Sequence, residues 1–424
     1  MPITTDLIDD AAAVVRELLK FAQPADSALS AWFKAHRTGS RERAFIAETA
    51  YAVLRRKRLL ERLAGSGATP RKFVLAALVR LMGINPRQLS ESLTLGERDW
   101  LAEFKARQEP AEQGTLAEQT DLPDWLCERL AARMPSAELL ALARGLNQPA
   151  PLDIRVNALK ATREEILAQF AREGIEAAPC RYAPSGIRLK GKPHLARHHL
   201  YLEGRIEVQD EGSQLLGYLL APRRGEMVAD FCAGAGGKTL LLGALMRSTG
   251  RLYAFDVSDK RLAKLKPRVA RSGLSNVHPA CIASENDSRV KRLAGKVDRV
   301  LVDAPCSGLG TLRRNPDLKW RQTPESVAEL TRKQADILAG ASRLVKPGGR
   351  LVYATCSLLS EENEAVVDAF LAGHGEFARI PAAGVLEGQG IGCAPQSQSN
   401  DDLRLLPHVH GTDGFYAAVL ERKK

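Results

Sequence analysis

From residue 207 onward, strand-like apolar segments alternate with segments of helical periodicity. The strand-like segments are almost continuously apolar, which is typical of strands that are buried on both faces of a parallel sheet. We predict strands over 227–231, 251–256, 277–282, 299–304 and 350–355, and helices over 239–246, 259–271 and 324–345, the last ended by the Lys-Pro-Gly-Gly segment at 346–349. This alternation predicts an α/β domain in which helices cover both faces of a parallel sheet.

The 424 residues are too many for one typical domain. Residues 1–145 contain apolar residues at helical spacing, for example over 11–19 and 44–54, and predict an all-helical domain. A proline-containing break follows at 145–151. Residues 146–206 then predict a small α+β subdomain, and residues 207–424 form the predicted α/β domain.

The chain carries a formal net charge of +11, which favours a polyanionic partner such as nucleic acid. Four adjacent cations, Arg-Arg-Lys-Arg at 55–58, follow a predicted helix and either contact RNA phosphates or form a solvated helix end. The sequence has neither an apolar run that could span a membrane nor the pattern of a secretory signal at its start. We therefore expect a cytoplasmic protein without a membrane partner.

The seven cysteines are widely spaced, at positions 127, 180, 232, 281, 306, 356 and 393. Their number is odd and no Cys-x-x-Cys pair exists, which argues against a disulfide framework and against a zinc site. His194, His198 and His199 lack the spacing of metal ligands and are expected in a polar loop. The sequence thus predicts no metal.

A glycine-rich turn follows the first predicted strand and precedes a helix. It consists of Cys232, Ala233, Gly234, Ala235, Gly236, Gly237 and Lys238. Glycines at this place let the backbone approach a ligand closely, and Asp256, at the end of the next strand, has the position of an acid that binds ribose hydroxyls. The turn therefore predicts a nucleoside-containing cofactor.

The sequence of this turn excludes two common kinds of cofactor-binding loop. A phosphate-binding loop would need glycine where Cys232 stands, and a dinucleotide-binding loop would need glycine where Thr239 stands. S-adenosylmethionine remains, because it has a ribose and no phosphates. Asp287, after the third strand, either accepts a hydrogen bond from the adenine amine or caps a helix.

Cys306 and Cys356 each follow a predicted strand, at the sheet edge where open α/β domains bind ligands. Their neighbours are turn-forming residues, which fits poorly with a cysteine that only fills a core. Nearby helix N-termini are expected to lower the thiol pKa and so favour the reactive thiolate. We predict that at least one of the two is a catalytic nucleophile.

A thiolate beside S-adenosylmethionine suits methylation of cytosine at carbon 5. Attack on carbon 6 makes carbon 5 nucleophilic enough to accept a methyl group, which is covalent catalysis. A carboxyl group near the ring N3, such as Asp303, would stabilise the adduct. These considerations do not decide which cysteine attacks.

These motifs resemble those of the Sun (Nol/Nop/Sun) family of RNA cytosine-C5 methyltransferases, and within it the bacterial branch that acts on small-subunit ribosomal RNA. The matching segments are 155–157, 209–214, 232–239, Asp256 with Arg261, 286–287, 303–308, 355–357 with 361–364, and 413–416. The resemblance implies a Rossmann-like class I methyltransferase core, an N-terminal NusB-like RNA-binding domain over 1–145 and methylation of 16S ribosomal RNA. Apart from the resemblance, we expect a monomer.

The same resemblance implies roles for single residues. Cys356 is the nucleophile, Cys306 assists product release, Asp303 anchors the cytosine, and Arg261 joins the cofactor site. One departure is visible: Gly234-Ala235 stands where the family usually has Ala-Pro, which makes the loop more flexible. Two alternatives stay open, namely the same chemistry on tRNA or another RNA, and an RNA-binding assembly factor without catalysis.

Overall fold

The computed structural model describes residues 2–65, 67–106, 114–392 and 401–424. Residues 393–400, which include Cys393 and are half of the irregular segment 387–402 for which the sequence predicts a loop, lie outside these ranges. The chain divides into two compact units. The first comprises Met1–Pro149 and Thr311–Pro324, and the second comprises Ala150–Gly310 and Glu325–Lys424.

The first unit is helical, as the periodicity of its sequence predicted. Its helices are Thr5–Leu18, Ala25–Ala35, Ser40–Arg55, Lys57–Ala64, Pro70–Arg80, Leu95–Ala106, Leu116–Thr120, Asp124–Ala131, Ser136–Leu146 and Leu318–Arg321. The side chain of Thr4 begins the first helix by accepting a hydrogen bond from the amide of Leu7. The apolar faces of the helices meet in a core that includes Ile8, Ile46 and Leu75.

The segment Thr311–Pro324 packs among these helices, although it lies far along the chain. The indole N–H of Trp320 donates to the carbonyl of Leu54 at 2.9 Å. The ammonium of Lys319 donates to the carbonyl of Arg55 at 2.8 Å and is buried, and this burial lowers the pKa of Lys319 to about 7. The predicted domain limits at 145 and 206 stay predictions.

The second unit contains an antiparallel sheet in the order β2-β3-β1-β4. Its strands are β1 (Leu152–Val156), β2 (Ala177–Pro179), β3 (Gly186–Leu189) and β4 (Ile206–Val208). The helices Arg163–Arg172 and His199–Leu202 accompany it. Thr162 and Glu165 form a capping box at the start of the longer helix. The strand and helix character predicted for this region is confirmed.

The larger sheet of this unit has the order β10-β12-β9-β8-β5-β6-β7, with β11 paired to β12. Its strands are β5 (Met227–Asp230), β6 (Arg251–Asp256), β7 (Val277–Cys281), β8 (Val297–Asp303), β9 (Val345–Thr355), β10 (Phe377–Ile380), β11 (Leu403–Leu405) and β12 (Phe415–Arg422). The helices are Glu211–Leu220, Gly237–Leu245, Asp259–Ser272, Ser288–Lys291, Pro324–Ser342, Glu364–Gly373, Ala382–Glu387 and Pro407–His410. Strands β5 to β9 pair in parallel, as predicted.

The strand order places β5 between β6 and β8, so the chain reverses direction across the sheet at β5. In open α/β sheets such a reversal leaves a crevice at the carboxyl ends of the strands. Two features differ from the sequence prediction. The segment 346–349 belongs to β9 rather than ending a helix, and β12 runs antiparallel to β9 at one side of the sheet.

In the described residues, every helix is too short or too polar to cross a membrane.

Candidate active site

A cavity of about 560 Å³ opens at the carboxyl ends of β5, β6, β8 and β9, within the range of small-molecule sites. The predicted site residues that line it are Cys232, Ala233, Gly234, Ala235, Gly237, Lys238, Asp256, Arg261, Asp303, Cys306 and Cys356. The fold thus brings the glycine loop, the strand-end acids and the two thiols to one place.

Two predicted residues, Gly236 and Asp287, do not line this cavity. Gly236 has φ +89° at the start of the helix Gly237–Leu245, and a Cβ there would lie 2.1 Å from the side chain of Leu265. The carboxylate of Asp287 accepts from the amides of Ala283 at 3.0 Å and Arg289 at 2.8 Å, and these bonds lower its pKa. Asp287 therefore caps a helix, and its contact with adenine stays a prediction.

Asp256 holds the glycine loop. It is buried at the end of β6, and its two oxygens accept from the amides of Gly234 and Ser258, each at 2.8 Å. Arg261 lies 3.0 Å from the same carboxylate. Gly234 itself has φ +55°, a conformation that glycine adopts without strain. The acid and the open loop backbone around the cavity fit a nucleoside-containing cofactor.

A partly buried ion pair joins the glycine loop to β8. The ammonium of Lys238 lies 2.6 Å from the Asp303 carboxylate. Burial disfavours the ammonium, but the charge and hydrogen bond of Asp303 outweigh it and raise the pKa of Lys238. Lys238 therefore remains charged and orients the carboxylate that was predicted to anchor the cytosine.

The two thiols lie side by side, with Cys306 Sγ 3.4 Å from Cys356 Sγ. This hydrogen bond raises the pKa of Cys306 well above that of a free thiol, and burial and the negative charge near Cys356 and Glu362 raise it further. We expected helix N-termini to lower the pKa, and for Cys306 that expectation is wrong. Cys306 therefore carries its proton at neutral pH.

Sequence reasoning missed several residues of the site. Lys333 lines the cavity from the helix Pro324–Ser342, where no motif marks it. Arg268 also lines it, and its guanidinium donates to the carbonyl of Ala235 at 2.6 Å. Their only signal in the sequence is a cation on a predicted helix, which is too common to be informative.

His198 and His199 lie away from this cavity, and they begin the short helix His199–Leu202 rather than lying in the expected polar loop. The Nε2 atoms of His198 and His199 lie 2.6 and 2.8 Å from the carboxylate of Glu173. The His198 Nδ1 accepts from the amide of Leu200 at 3.3 Å, so His198 Nε2 carries the hydrogen that faces Glu173. The group forms a polar cluster close to the small antiparallel sheet.

The parallel strands, the glycine loop after β5 and the acid that ends β6 define a class I S-adenosylmethionine-dependent methyltransferase. The fold is similar to the crystal structure of PH0851, with a TM-score of 0.81, 29% identity and coverage of 100% of each chain. It is also similar to a methyltransferase homolog protein from Pyrococcus horikoshii, with a TM-score of 0.61 and 28% identity over 72% of this chain and 97% of that chain. The predicted fold class and cofactor are confirmed.

Comparison of the sequence identifies the family. The family model described as 16S rRNA methyltransferase RsmB/F matches residues 217–421, and the related ferredoxin-like domain model matches residues 122–195. A relative from Synechocystis sp. named "Probable ribosomal RNA small subunit methyltransferase B" is 33% identical, over 96% of this chain and 98% of the relative. The chain belongs to the RsmB/F family of RNA methyltransferases, which confirms the resemblance to the Sun family drawn from its motifs.

Proposed function

We propose that the protein methylates carbon 5 of a cytidine in 16S ribosomal RNA, with Cys356 as nucleophile and Cys306 assisting release. The observation that carries this proposal is the pair of thiols 3.4 Å apart in the cavity, beside Asp303. The names of the family and of its relatives support the choice of RNA. S-adenosylmethionine supplies the methyl group.

The positions of these residues support the following steps. The Cys356 thiolate forms a bond to carbon 6 of the ring, and the electron pair of the double bond between carbons 5 and 6 moves into the ring. Asp303, oriented by Lys238, accepts a hydrogen bond from the amino group next to N3 and holds the base in place. Carbon 5 would then take the methyl group, whose bond to the sulfonium sulfur of S-adenosylmethionine breaks and leaves the neutral thioether. Loss of the carbon 5 proton returns an electron pair to the ring, and the bond between sulfur and carbon 6 breaks.

The thiol pair explains how one cysteine can act after the other. Before reaction, the hydrogen bond and the charge of Cys356 raise the pKa of Cys306. Once Cys356 is bonded to carbon 6, its hydrogen bond to Cys306 and its negative charge are gone, so Cys306 releases its proton to solvent more easily. Cys306 then serves as the base that removes the carbon 5 proton.

Substitution of each thiol tests this division of roles. Cys356→Ala is expected to abolish methyl transfer from labelled S-adenosylmethionine to RNA. Cys306→Ala is expected to form the adduct but not resolve it, so that a protein–RNA complex survives denaturing electrophoresis. Cys281→Ala, at the end of β7, is the matched control and retains activity. Activity in Cys356→Ala would refute the assignment of the nucleophile.

We infer further that the first unit binds RNA phosphates. A cavity of about 280 Å³ in this unit is lined by Arg55, Arg56 and Arg144, among other residues. Arg56 is paired with Asp121 at 2.6 Å, whereas the buried Nε of Arg55 has no hydrogen-bond partner. Burial lowers the pKa of Arg55, so an anion in the cavity would stabilise its charged form.

The salt dependence of RNA binding tests this inference. Each lost phosphate contact reduces the slope of log K against log salt concentration by about one. Arg144→Ala and Arg55→Ala are therefore expected to weaken binding and to flatten the slope. Lys34→Ala, an exposed cation on the helix Ala25–Ala35, is the control. Equal slopes in all three variants would contradict a phosphate site in this cavity.

The identity of the RNA is tested separately. Bisulfite sequencing of RNA from a strain that lacks the gene is expected to show one lost 5-methylcytosine in 16S ribosomal RNA; a lost site in tRNA would favour the alternative substrate. Undetectable binding of S-adenosylmethionine in calorimetry would favour an assembly factor without catalysis. The cytoplasmic location, the monomeric state and the absence of a metal stay predictions.

A further inference from the structure

The carboxylate of Glu362 is fully buried behind the two cysteine loops. One oxygen accepts from the backbone amide of Ser307 at 2.8 Å and from the side-chain amide of Gln334 at 3.0 Å. The other oxygen accepts from the hydroxyls of Ser307 and Ser357. A single side chain thus holds the residue that follows each catalytic thiol.

We propose that Glu362 is a positioning residue that sets the separation of the Cys306 and Cys356 thiols. This proposal rests on the two-thiol mechanism proposed above. Cys306 follows β8 and Cys356 follows β9, and these loops are 50 residues apart in sequence. The separation of 3.4 Å between their sulfur atoms therefore depends on contacts between the loops, and Glu362 bonds to both.

Neighbouring hydrogen bonds make this bridge rigid. Gln334, from the helix Pro324–Ser342, also donates to the carbonyl of Pro305 at 3.0 Å. The hydroxyl of Tyr353 in β9 donates to the backbone carbonyl of Glu362 at 2.7 Å. The hydroxyls of Ser307 and Ser357 lie 3.2 Å apart. The backbone of Glu362 is therefore held from the strand, and its carboxylate is held from the helix and from each of the two loops.

The role is one of geometry rather than of contact with the reacting atoms. Glu362 does not line the cavity, whereas the two thiols do. The donors to its carboxylate are a backbone amide, two hydroxyls and a side-chain amide, all uncharged. The carboxylate thus positions the thiols through the serines that follow them.

The chemistry of these donors predicts different results for two substitutions. In Glu362→Gln, the remaining oxygen can still accept from the Ser307 amide and from Gln334. The new NH₂ group faces the serine hydroxyls, which can rotate to accept its hydrogens. Glu362→Ala removes all four bonds. If Glu362 positions the thiols, Glu362→Gln should therefore keep most of the activity that Glu362→Ala loses.

Steady-state kinetics form the first test, with Glu361→Ala as the neighbouring control. Glu362→Ala is expected to lower kcat by about 100-fold, the usual cost of a misplaced catalytic group, with unchanged KM for RNA and unchanged affinity for S-adenosylmethionine. Glu362→Gln is expected to stay within a few-fold of the unsubstituted protein. Equal losses in the two variants, or full activity in Glu362→Ala, would overturn the proposal.

The second test measures thiol separation without catalysis. Phenylarsine oxide condenses with two adjacent thiols, forming two arsenic–sulfur bonds and releasing water. It is expected to protect Cys306 and Cys356 from alkylation in the unsubstituted protein and in Glu362→Gln, but not in a folded Glu362→Ala. Protection in Glu362→Ala would refute the role of Glu362 even if the methylation chemistry were confirmed. If Glu362→Ala does not fold, Ser307→Ala and Ser357→Ala are the replacements, and retained protection and kcat in both would refute it.

Discussion

Asp230, at the end of β5, carries a carboxylate that is buried beside the glycine loop. Thr239 donates to one of its oxygens at 2.7 Å, while the other oxygen has no hydrogen-bond partner. Burial raises the pKa of Asp230 to about 7, and the charges of Asp303 and Asp256 add to the effect although Thr239 and Lys238 oppose it. This residue therefore titrates in the folded protein near neutral pH.

The sign of its effect on stability follows from proton linkage. Between about pH 4 and pH 7 the folded protein holds a proton on Asp230 that the unfolded chain has released, so the contribution of this residue to stability falls as pH rises. Asp230→Asn removes this titration and is expected to flatten the decline of the free energy of unfolding over that range. Urea denaturation at several pH values measures it.

The control is Asp259→Asn, which replaces an exposed aspartate on the helix Asp259–Ser272. It is expected to leave the pH profile unchanged. An Asp230→Asn profile as steep as that of the unsubstituted protein would show that other groups cause the decline.

Some residues of the site could be predicted from the sequence and others could not. Cys306, Cys356, Asp256 and Asp303 could be predicted because each ends a strand or follows one within three residues, and the carboxyl ends of parallel strands meet at one edge. Glu362 could not be assigned a role, because its partners come from loops and a helix that only the folded chain brings together.

The glycine loop is the element whose conformation most directly shapes the site. Gly236 combines φ +89° with a close approach to Leu265, so a side chain there would be strained and would overlap its neighbour. Gly225, before β5, has a similar φ of +80° but open space around it. A comparison of the two positions therefore distinguishes the energetic cost of the backbone conformation from the cost of the steric overlap.

Alanine substitutions at these glycines have different expected costs. Gly225→Ala is expected to lower the free energy of unfolding by about 1–2 kcal/mol, the cost of a left-handed conformation. Gly236→Ala adds a steric overlap of about 1–3 kcal/mol, and its displacement of the loop is expected to weaken binding of S-adenosylmethionine. Chemical denaturation and calorimetry measure these effects. Equal stability of the two variants would mean that Leu265 moves aside freely.

At the same scale, the strands of the parallel core were predictable because their apolar runs are long and bounded by turns. The antiparallel strands at one side of the sheet were not predictable in this way. Strand β12 is as apolar as a parallel strand, since it is covered on both faces like its neighbour β9. The hydrophobic pattern of a strand indicates whether it is buried but not whether it runs parallel or antiparallel to its neighbour. The sequence therefore did not predict that the sheet is mixed.

At the scale of the whole molecule, the chain leaves one compact unit and returns to it. Thr311–Pro324 follows the Cys306 loop in sequence but belongs to the helical unit. Trp320 secures it there, because its indole N–H donates to Leu54 and the ammonium of Lys57 lies 4.9 Å from its ring centroid.

Removal of the Trp320 side chain is expected to destabilise the helical unit alone. Trp320→Ala, at a half-buried position, should lower the stability of the helical unit by about 2–3 kcal/mol through lost packing and a lost hydrogen bond. Hydrogen exchange is expected to accelerate in the helices Thr5–Leu18 and Ser40–Arg55. Amides of β5, β6 and β8 serve as the internal control. Unchanged exchange in the helices would contradict this role.

The sequence alone determined the α/β core, the glycine loop, the strand-end acids and the two candidate thiols. These features depend on local periodicity and on the rule that parallel strands end at a common edge. Tertiary structure decided the contacts between distant segments: the 3.4 Å approach of the thiols, the raised pKa of Cys306, the bridge made by Glu362 and the place of Thr311–Pro324. Such contacts depend on burial and on partners many residues away, which no local pattern in the sequence records.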